Sequence, residues 1–207
     1  MTRALTSYLV CATPRSGSTL LCETLRDTGV AGNPLEFFEA VPETGVPRRP
    51  LDYLRGLEDP DALALVADAP PHPPPSYSDL RAVAGHAEHL ERVRAWGATP
   101  NGVFGAKIMW AHLEDLARGL GADDLHGLVD RVFDCPRLVW VRRADTVRQA
   151  VSLWRAMQTQ SWRAENETAT GEPRYSFAAL PPMRRQADER SDAWAERYAR
   201  DALAFAP

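Results

Sequence analysis

The chain has 207 residues, of which 44% are hydrophobic and 25% are charged, and this is enough for one domain with a sizeable core. Its formal net charge of -4 argues against a general nucleic-acid binder, and no apolar run is long enough to predict a membrane span. The cysteines are too few and too scattered for a disulfide framework or a metal site, so we expect a cytoplasmic protein without a metal.

The chain opens with an apolar strand over residues 6–12, followed by a short loop of small residues and a helix. Leu20, Leu21 and Leu25 have helical spacing, and Gly29 is placed to end this helix. Strand, tight loop and helix in this order are typical of the first unit of an α/β domain. Residues 30–60 contain many prolines and glycines and are expected to be mostly loop.

A proline-rich stretch over residues 69–76 is expected to be an exposed linker inside a single domain that covers residues 1–207. A charged helix is predicted to follow from the capping residue Ser78, and further strands are predicted over residues 102–110 and 136–143. Residues 111–134, the stretch after Asp145 and the tail over residues 184–205 are predicted as helices. This alternation predicts an α/β fold, a P-loop-like domain with a central parallel sheet flanked by helices.

The loop over residues 13–19, between the first strand and the first helix, has the composition of an anion-binding site. Small residues let its backbone approach an anion, and the helix N-terminus supplies N–H groups and a positive dipole. The residues in question are Ser16, Gly17, Ser18 and Thr19, with Arg15 adding a positive charge. An ATP-binding loop has the pattern G-x-x-x-x-G-K-[ST], and because Ser18 follows Gly17 here, a kinase is disfavoured.

A second anion contact is predicted at the end of the third strand. Arg143 ends this strand and Ser152 lies in the next helix, so that the two side chains can hold a second phosphate. Lys107 and Trp110 stand at the end of the second strand. Ligands of parallel α/β sheets bind beyond the carboxyl ends of the strands, so we expect all of these residues to line one site. Ordinary helix caps and a surface arginine are the alternative interpretation.

Four segments together resemble the mycobacterial trehalose 2-sulfotransferase family, in that family's order and over more than half of the chain. They are "YLVCATPRSGSTLLCETLRDTGVAGNPLEFF", "TPNGVFGAKIMW", "VRRADTVRQAVSLWRAMQTQSW" and "RRQADERSDAWAERY". The resemblance implies a homodimeric sulfotransferase that uses 3′-phosphoadenosine 5′-phosphosulfate (PAPS) and a small sugar acceptor. It implies that the 13–19 loop binds the 5′-phosphosulfate, and that Arg143 and Ser152 bind the 3′-phosphate.

Sulfuryl transfer places two demands on the site. Negative charge develops on the leaving phosphate oxygen, and we expect Arg15 and the loop amides to stabilise it, with Lys107 as a further cation. A base must also accept the proton of the acceptor hydroxyl, and the resemblance places it at Glu36. Phe37 and Phe38 would shield that carboxylate from water. Glu39 and His112 are alternative bases, although we expect His112 on the surface of its helix.

Two departures from the family pattern affect the expected function. Asn33, Glu36, Lys107 and Trp110 are the residues expected to contact the acceptor, but Asn33 stands where the trehalose enzymes have a glutamate. The segment around residues 164–182 is also short, as if on the order of 60–70 residues, the size of three elements, were absent. A non-catalytic or vestigial nucleotide-binding protein of the same family is therefore the alternative function.

Overall fold

A computed structural model of the protein describes residues 6–39, 49, 51, 54–67, 83–162 and 172–204. In this part of the chain, one sheet contains three parallel strands in the order β2-β1-β3: β1 (Thr6–Ala12), β2 (Val103–Met109) and β3 (Arg137–Val141). The helices are α1 (Ser18–Asp27), α2 (Pro60–Ala64), α3 (His86–Gly97), α4 (Trp110–Leu120), α5 (Leu125–Phe133), α6 (Thr146–Thr159) and α7 (Leu180–Ala204). The predicted α/β class with a parallel sheet between helices is confirmed.

The register of the sheet brings the carboxyl ends of its strands to one level. Ala12 at the end of β1 lies opposite Met109 on β2 and opposite Val141 on β3. β1 is the central strand, and residues 9–12 have no solvent exposure, which explains their uninterrupted apolar sequence. The chain therefore leaves all three strands at the same edge, where the 13–19 loop, α4 and the segment before α6 begin.

Two predicted helices differ from those observed. The helix expected from Ser78 begins at His86, and residues 83–85 before it are not helical; Ser78 lies outside the described residues. Residues 111–134 form two helices because Gly121 adopts a left-handed conformation (φ 61°) that ends α4. The side chain of Asp124 then accepts a hydrogen bond from the N–H of His126 and caps α5.

The helix α2 was not predicted, although its sequence carries a start signal. Asp59 accepts a hydrogen bond from the N–H of Ala62 at 2.8 Å, and Pro60 occupies the first helical position. The predicted linker over residues 69–76 lies outside the described residues, as does most of the first half of the segment 164–182.

The buried apolar residues form two clusters. The larger cluster lies between the sheet and α3, α4 and α5, whereas the smaller one joins α2, α6 and α7. α7 contributes to both, with Met183 in the smaller cluster and Trp194 in the larger. The indole Nε1 of Trp194 also donates a hydrogen bond to the carbonyl of Ala12 at 3.2 Å. The last helix is thereby fixed to the end of the first strand.

Cys11, Cys22 and Cys135 form no disulfide; Cys11 and Cys22 are buried, as expected, and Cys135 is exposed. None of the helices in the described part of the chain combines the length and the apolar character that crossing a membrane requires.

Candidate active site

A cavity of about 820 Å³ lies at the carboxyl edge of the sheet. It is lined by the 13–19 loop, the end of β2, the residues after β3 and one face of α6. Nearly all of the predicted site residues contribute to its walls: Arg15, Ser16, Gly17, Ser18, Thr19, Glu36, Lys107, Trp110, Arg143 and Ser152. The fold thus brings together residues that are far apart in the sequence.

The 13–19 loop has the geometry of an anion cradle. Gly17 is the N-cap of α1 with φ 96°, a left-handed conformation that favours glycine, and no side chain caps the helix there. A Cβ atom at this position would meet no described atom within 4 Å, so the backbone angle and not crowding requires the glycine. The hydroxyl of Ser16 is buried and has no hydrogen-bond partner among the described residues. Backbone N–H groups at the start of α1 and the hydroxyl of Ser16 would therefore lie near an anion bound there.

α6 holds the loop from the other side through a residue that we did not predict. The side-chain amide of Gln149, only 3% exposed, donates to Thr13 Oγ1 at 2.8 Å and to the carbonyl of Pro14 at 2.6 Å. A signal was present, because Gln149 precedes Ser152 by three residues and therefore shares its helix face. Gln149 fixes the loop to the helix that also carries Ser152.

Arg15 lies between the loop and α6. Its Nε donates to Ser152 Oγ at 3.0 Å, and its Nη1 donates to the carbonyl of Trp162 at 2.5 Å. Burial and, to a smaller extent, the positive charge of Arg143 lower the pKa of the Arg15 guanidinium. The two arginines therefore share one region of the cavity, together with the hydroxyl of Ser152.

Lys107 connects the loop to Glu36. Its Nζ donates to Glu36 Oε2 at 2.6 Å and to Thr19 Oγ1 at 3.1 Å, and the residue is only 5% exposed. The backbone N–H of Lys107 also donates to the carbonyl of Leu35 at 2.9 Å, so the segment that carries Glu36 lies along the free edge of β2. The cation and the carboxylate are consequently held at the first turn of α1, inside the cavity.

The expectation that His112 lies on a helix surface is wrong. His112 is 2% exposed and lines the cavity, and its Nδ1 accepts a hydrogen bond from the N–H of Met109 at the start of α4. Trp110 packs edge-on against Trp194, with ring centroids 4.9 Å apart, and also borders the cavity. The start of α4 thus presents an imidazole and an indole to the site because α4 begins directly at the end of β2.

Asn33 is the predicted site residue that does not line the described cavity. Its Nδ2 donates to the carbonyl of Trp96 at 3.2 Å, and its backbone N–H donates to the carbonyl of Gly97 at 2.9 Å. These contacts fasten the segment before Glu36 to the end of α3. The geometry gives Asn33 a structural contact and does not support direct contact with an acceptor.

The cavity carries more basic than acidic side chains. Its basic residues are Arg15, Lys107, Arg142, Arg143 and Arg190, and its acidic residues are Glu23, Glu36 and Glu39. Within the described ranges, no group of three or more histidines, cysteines or carboxylates is arranged to hold a metal ion. The walls therefore favour an anionic ligand, with a carboxylate available at one side.

The chain is similar in sequence to proteins of known family. Trehalose 2-sulfotransferase of Mycobacterium tuberculosis strain Erdman is 38% identical over 211 residues, covering 98% of this chain and 76% of that protein. The protein of the same name from Mycolicibacterium smegmatis is 33% identical over 264 residues, covering 95% of this chain and 96% of its own length. The second alignment is longer than the present chain, so the M. smegmatis protein has internal positions without a counterpart here. The family model of the Stf0 sulphotransferases matches residues 7–180, and the chain therefore belongs to the Stf0 sulphotransferase family.

Proposed function

We propose that the protein transfers the sulfuryl group of PAPS to a hydroxyl of a carbohydrate-type acceptor, either trehalose or a related sugar or glycolipid. The observation that carries the proposal is the convergence of three features on one cavity. These are the uncapped start of α1 with its glycine, the Arg15–Arg143–Ser152 group, and the Lys107–Glu36 pair. Family membership and the names of the two relatives support the reaction type and the sugar acceptor.

The residues of the cavity fit a donor with two separate anionic groups. The start of α1 offers backbone N–H groups that have no partner within the helix. The buried hydroxyl of Ser16, which has no hydrogen-bond partner among the described residues, is available to the same anion. Arg143 and Ser152, beside Arg15, offer a guanidinium and a hydroxyl to a second anion. PAPS carries a 5′-phosphosulfate and a 3′-phosphate, and when bound it supplies the sulfuryl group.

We assign to Glu36 the role of the base that accepts the proton of the acceptor hydroxyl. A sugar hydroxyl has a pKa far above 7, so a base must take its proton as the new sulfur–oxygen bond forms. Glu36 is the carboxylate that Lys107 holds at the first turn of α1, where the 5′ group of the donor is expected. The ammonium of Lys107 orients this carboxylate and places a positive charge beside the reacting oxygens.

The proposal is tested by incubating the protein with PAPS and trehalose and identifying sulfated products by mass spectrometry. We expect a monosulfated disaccharide, together with release of adenosine 3′,5′-bisphosphate. A panel of other sugars and glycolipids, run in parallel, determines the acceptor if trehalose is not used. No sulfated product from any acceptor would contradict the proposed activity.

A nucleotide titration separates the remaining alternatives. Preference for adenosine 3′,5′-bisphosphate over ATP–Mg²⁺ supports the sulfotransferase, whereas the reverse preference indicates a kinase. Bisphosphate binding without turnover indicates a non-catalytic protein, an alternative favoured by the internal positions of the M. smegmatis relative that this chain lacks. We further propose that the protein is cytoplasmic and forms a homodimer. Light scattering of the purified protein tests the oligomeric state, and fractionation of cells tests the location.

A further inference from the structure

The segment that carries Glu36 is fixed through its backbone on both sides of this residue. Leu35 bridges β2, and its carbonyl accepts a hydrogen bond from the N–H of Lys107 at 2.9 Å. Residues Phe37–Glu39, directly after Glu36, form one turn of 3₁₀ helix. The N–H of Glu39 closes this turn by donating to the carbonyl of Glu36 at 3.1 Å. The direction of the Glu36 side chain therefore depends on the position of the bridge before it and of the turn after it.

His89, a residue of α3, holds the turn after Glu36. Its Nε2 lies 3.0 Å from the carbonyl oxygen of Phe37, and because a carbonyl can only accept, the hydrogen of this bond is on Nε2. His89 is 3% exposed, and the ring of Phe38 packs edge-on against the imidazole with ring centroids 5.9 Å apart. Water therefore competes little for this bond, which fixes the backbone directly after the carboxylate.

The same helix holds the other end of the segment. The backbone N–H of Asn33 donates to the carbonyl of Gly97 at 2.9 Å, and its Nδ2 donates to that of Trp96 at 3.2 Å. The last turn of α3 thus holds the residues before Glu36, whereas the first turn, with His89, holds those after it. The carboxylate is suspended between two attachments to one helix.

His89 does not line the described cavity, in contrast to His112 of α4. We propose that His89 is a positioning residue for the base: by holding the carbonyl of Phe37, it keeps the carboxylate of Glu36 in place. That place is beside Lys107, where the acceptor hydroxyl is expected. The inference rests on the proposed function, because it concerns the base of that reaction. A displacement of about 1 Å at a reacting group costs on the order of 100-fold in rate, so a contact outside the cavity can affect turnover.

The test removes or keeps the donor at position 89. His89→Leu has no donor, whereas His89→Gln places an amide nitrogen about where Nε2 of the imidazole lies. We expect His89→Leu to reduce kcat by about 10- to 100-fold, while its affinity for adenosine 3′,5′-bisphosphate in calorimetry equals that of the parent. We expect His89→Gln to recover most of the kcat. An unchanged kcat in His89→Leu, a bisphosphate affinity that falls with kcat, or a glutamine variant as slow as the leucine variant would each overturn the inference.

Val93→Ala is the matched control for a loosened helix. Val93 lies one turn after His89, is fully buried in the larger cluster and does not line the cavity. Its truncation should lower the melting temperature but leave kcat close to that of the parent. A kcat as low as that of His89→Leu would overturn the inference, because a general loosening of α3 would explain both.

His89→Asn replaces the leucine variant if that variant does not fold. Asparagine keeps an amide, but its side chain is too short to bring the donor to the carbonyl of Phe37. We therefore expect His89→Asn to lose kcat and His89→Gln to retain it. Equal kcat values in these two variants would contradict a role of the hydrogen bond.

Amide hydrogen exchange tests the positioning separately from catalysis. The N–H of Glu39 is bonded to the carbonyl of Glu36, so its exchange rate, measured by NMR, reports how often the turn opens. Loss of the donor to a buried carbonyl should make this exchange about 10-fold faster or more in His89→Leu, and His89→Gln should restore the parent rate. Equal exchange in the parent and His89→Leu would overturn the role of His89. A parent without sulfuryl transfer contradicts the proposed function, and the exchange rates then still decide whether His89 holds the turn.

Discussion

Glu36→Gln tests most directly whether donor binding and proton transfer depend on different residues of the cavity. The substitution keeps the size of the side chain and an oxygen that can accept from Lys107, but it removes the negative charge and the basicity. The nucleotide contacts proposed for the 13–19 loop, Arg143 and Ser152 need no carboxylate. We therefore expect an almost unchanged affinity for adenosine 3′,5′-bisphosphate and a kcat reduced by about 10²- to 10⁴-fold, the usual contribution of a positioned base.

The structure also predicts that Glu36→Gln lowers the stability of the protein. The side chains of Lys107 and Glu36 are 6% and 23% exposed, so their 2.6 Å contact is only weakly screened by water. Hydrogen bonds to charged groups contribute about 1.5–3 kcal/mol and those between neutral groups about 0.5–1.5 kcal/mol, so we expect loss of the negative charge to cost about 1–2 kcal/mol. For a domain of this size, a loss of 1–2 kcal/mol lowers the melting temperature by about 2–8 °C.

Three measurements check this prediction. Mass spectrometry of the sulfated product gives kcat over a range of pH, and calorimetry gives the bisphosphate affinity and the melting temperature. We expect the acidic limb of the parent's pH–rate profile to be lost in Glu36→Gln. Normal turnover by this variant, combined with an inactive Glu39→Gln or His112→Ala variant, would refute the assignment of the base to Glu36.

Three further predictions follow from the fold around the cavity. Gly17→Val should abolish nucleotide binding in calorimetry, because valine strongly disfavours φ 96°; retained affinity would show that the start of α1 does not hold the anion. Gln149→Leu removes both hydrogen bonds to the loop but keeps a similar side-chain volume, and it should weaken the binding of adenosine 3′,5′-bisphosphate and adenosine 5′-phosphate equally. A selective loss of bisphosphate binding would argue against a role of Gln149 in loop positioning. Burial raises the pKa of Cys22 from 9.0 to about 12, so the native state keeps a proton that the unfolded state loses, and the free energy of unfolding should fall as the pH rises from about 9 to 12. Urea denaturation at several pH values measures this fall, and Cys22→Ala should make it smaller.

Local sequence patterns were sufficient for the elements that build the sheet. The apolar run over residues 6–12 and the loop composition after it predicted β1 and the start of α1, since both depend on neighbouring residues. Gly121 ends α4, but the prediction of residues 111–134 as helical did not use it as a break. A single left-handed residue is enough to redirect a helix, and hydrophobic periodicity does not register it.

The contacts that complete the site depend on tertiary structure. His112 was expected on the surface because its burial depends on how α4 leaves β2 and packs, which helical spacing alone does not reveal. The Lys107–Glu36 contact needs the segment containing Leu35 to lie along the edge of β2, a pairing between residues about 70 positions apart. The engagement of Arg15 by α6 has the same origin. Sequence patterns and the resemblance identified the site residues, whereas their hydrogen-bond partners depended on the fold.

The hydrogen bond from Trp194 to the carbonyl of Ala12 joins α7 to the end of β1, two parts of the chain that are synthesised far apart in time. β1 leaves the ribosome before the rest of the sheet, yet its fully buried residues are covered only when β2, β3 and finally α7 have been synthesised. Contacts between such distant parts of a chain form slowly, and an apolar strand left uncovered during translation is prone to aggregate. Nascent chains of this protein should therefore leave β1 partly uncovered until α7 emerges, and the 13–19 loop next to Ala12 should be among the last parts to acquire its native geometry.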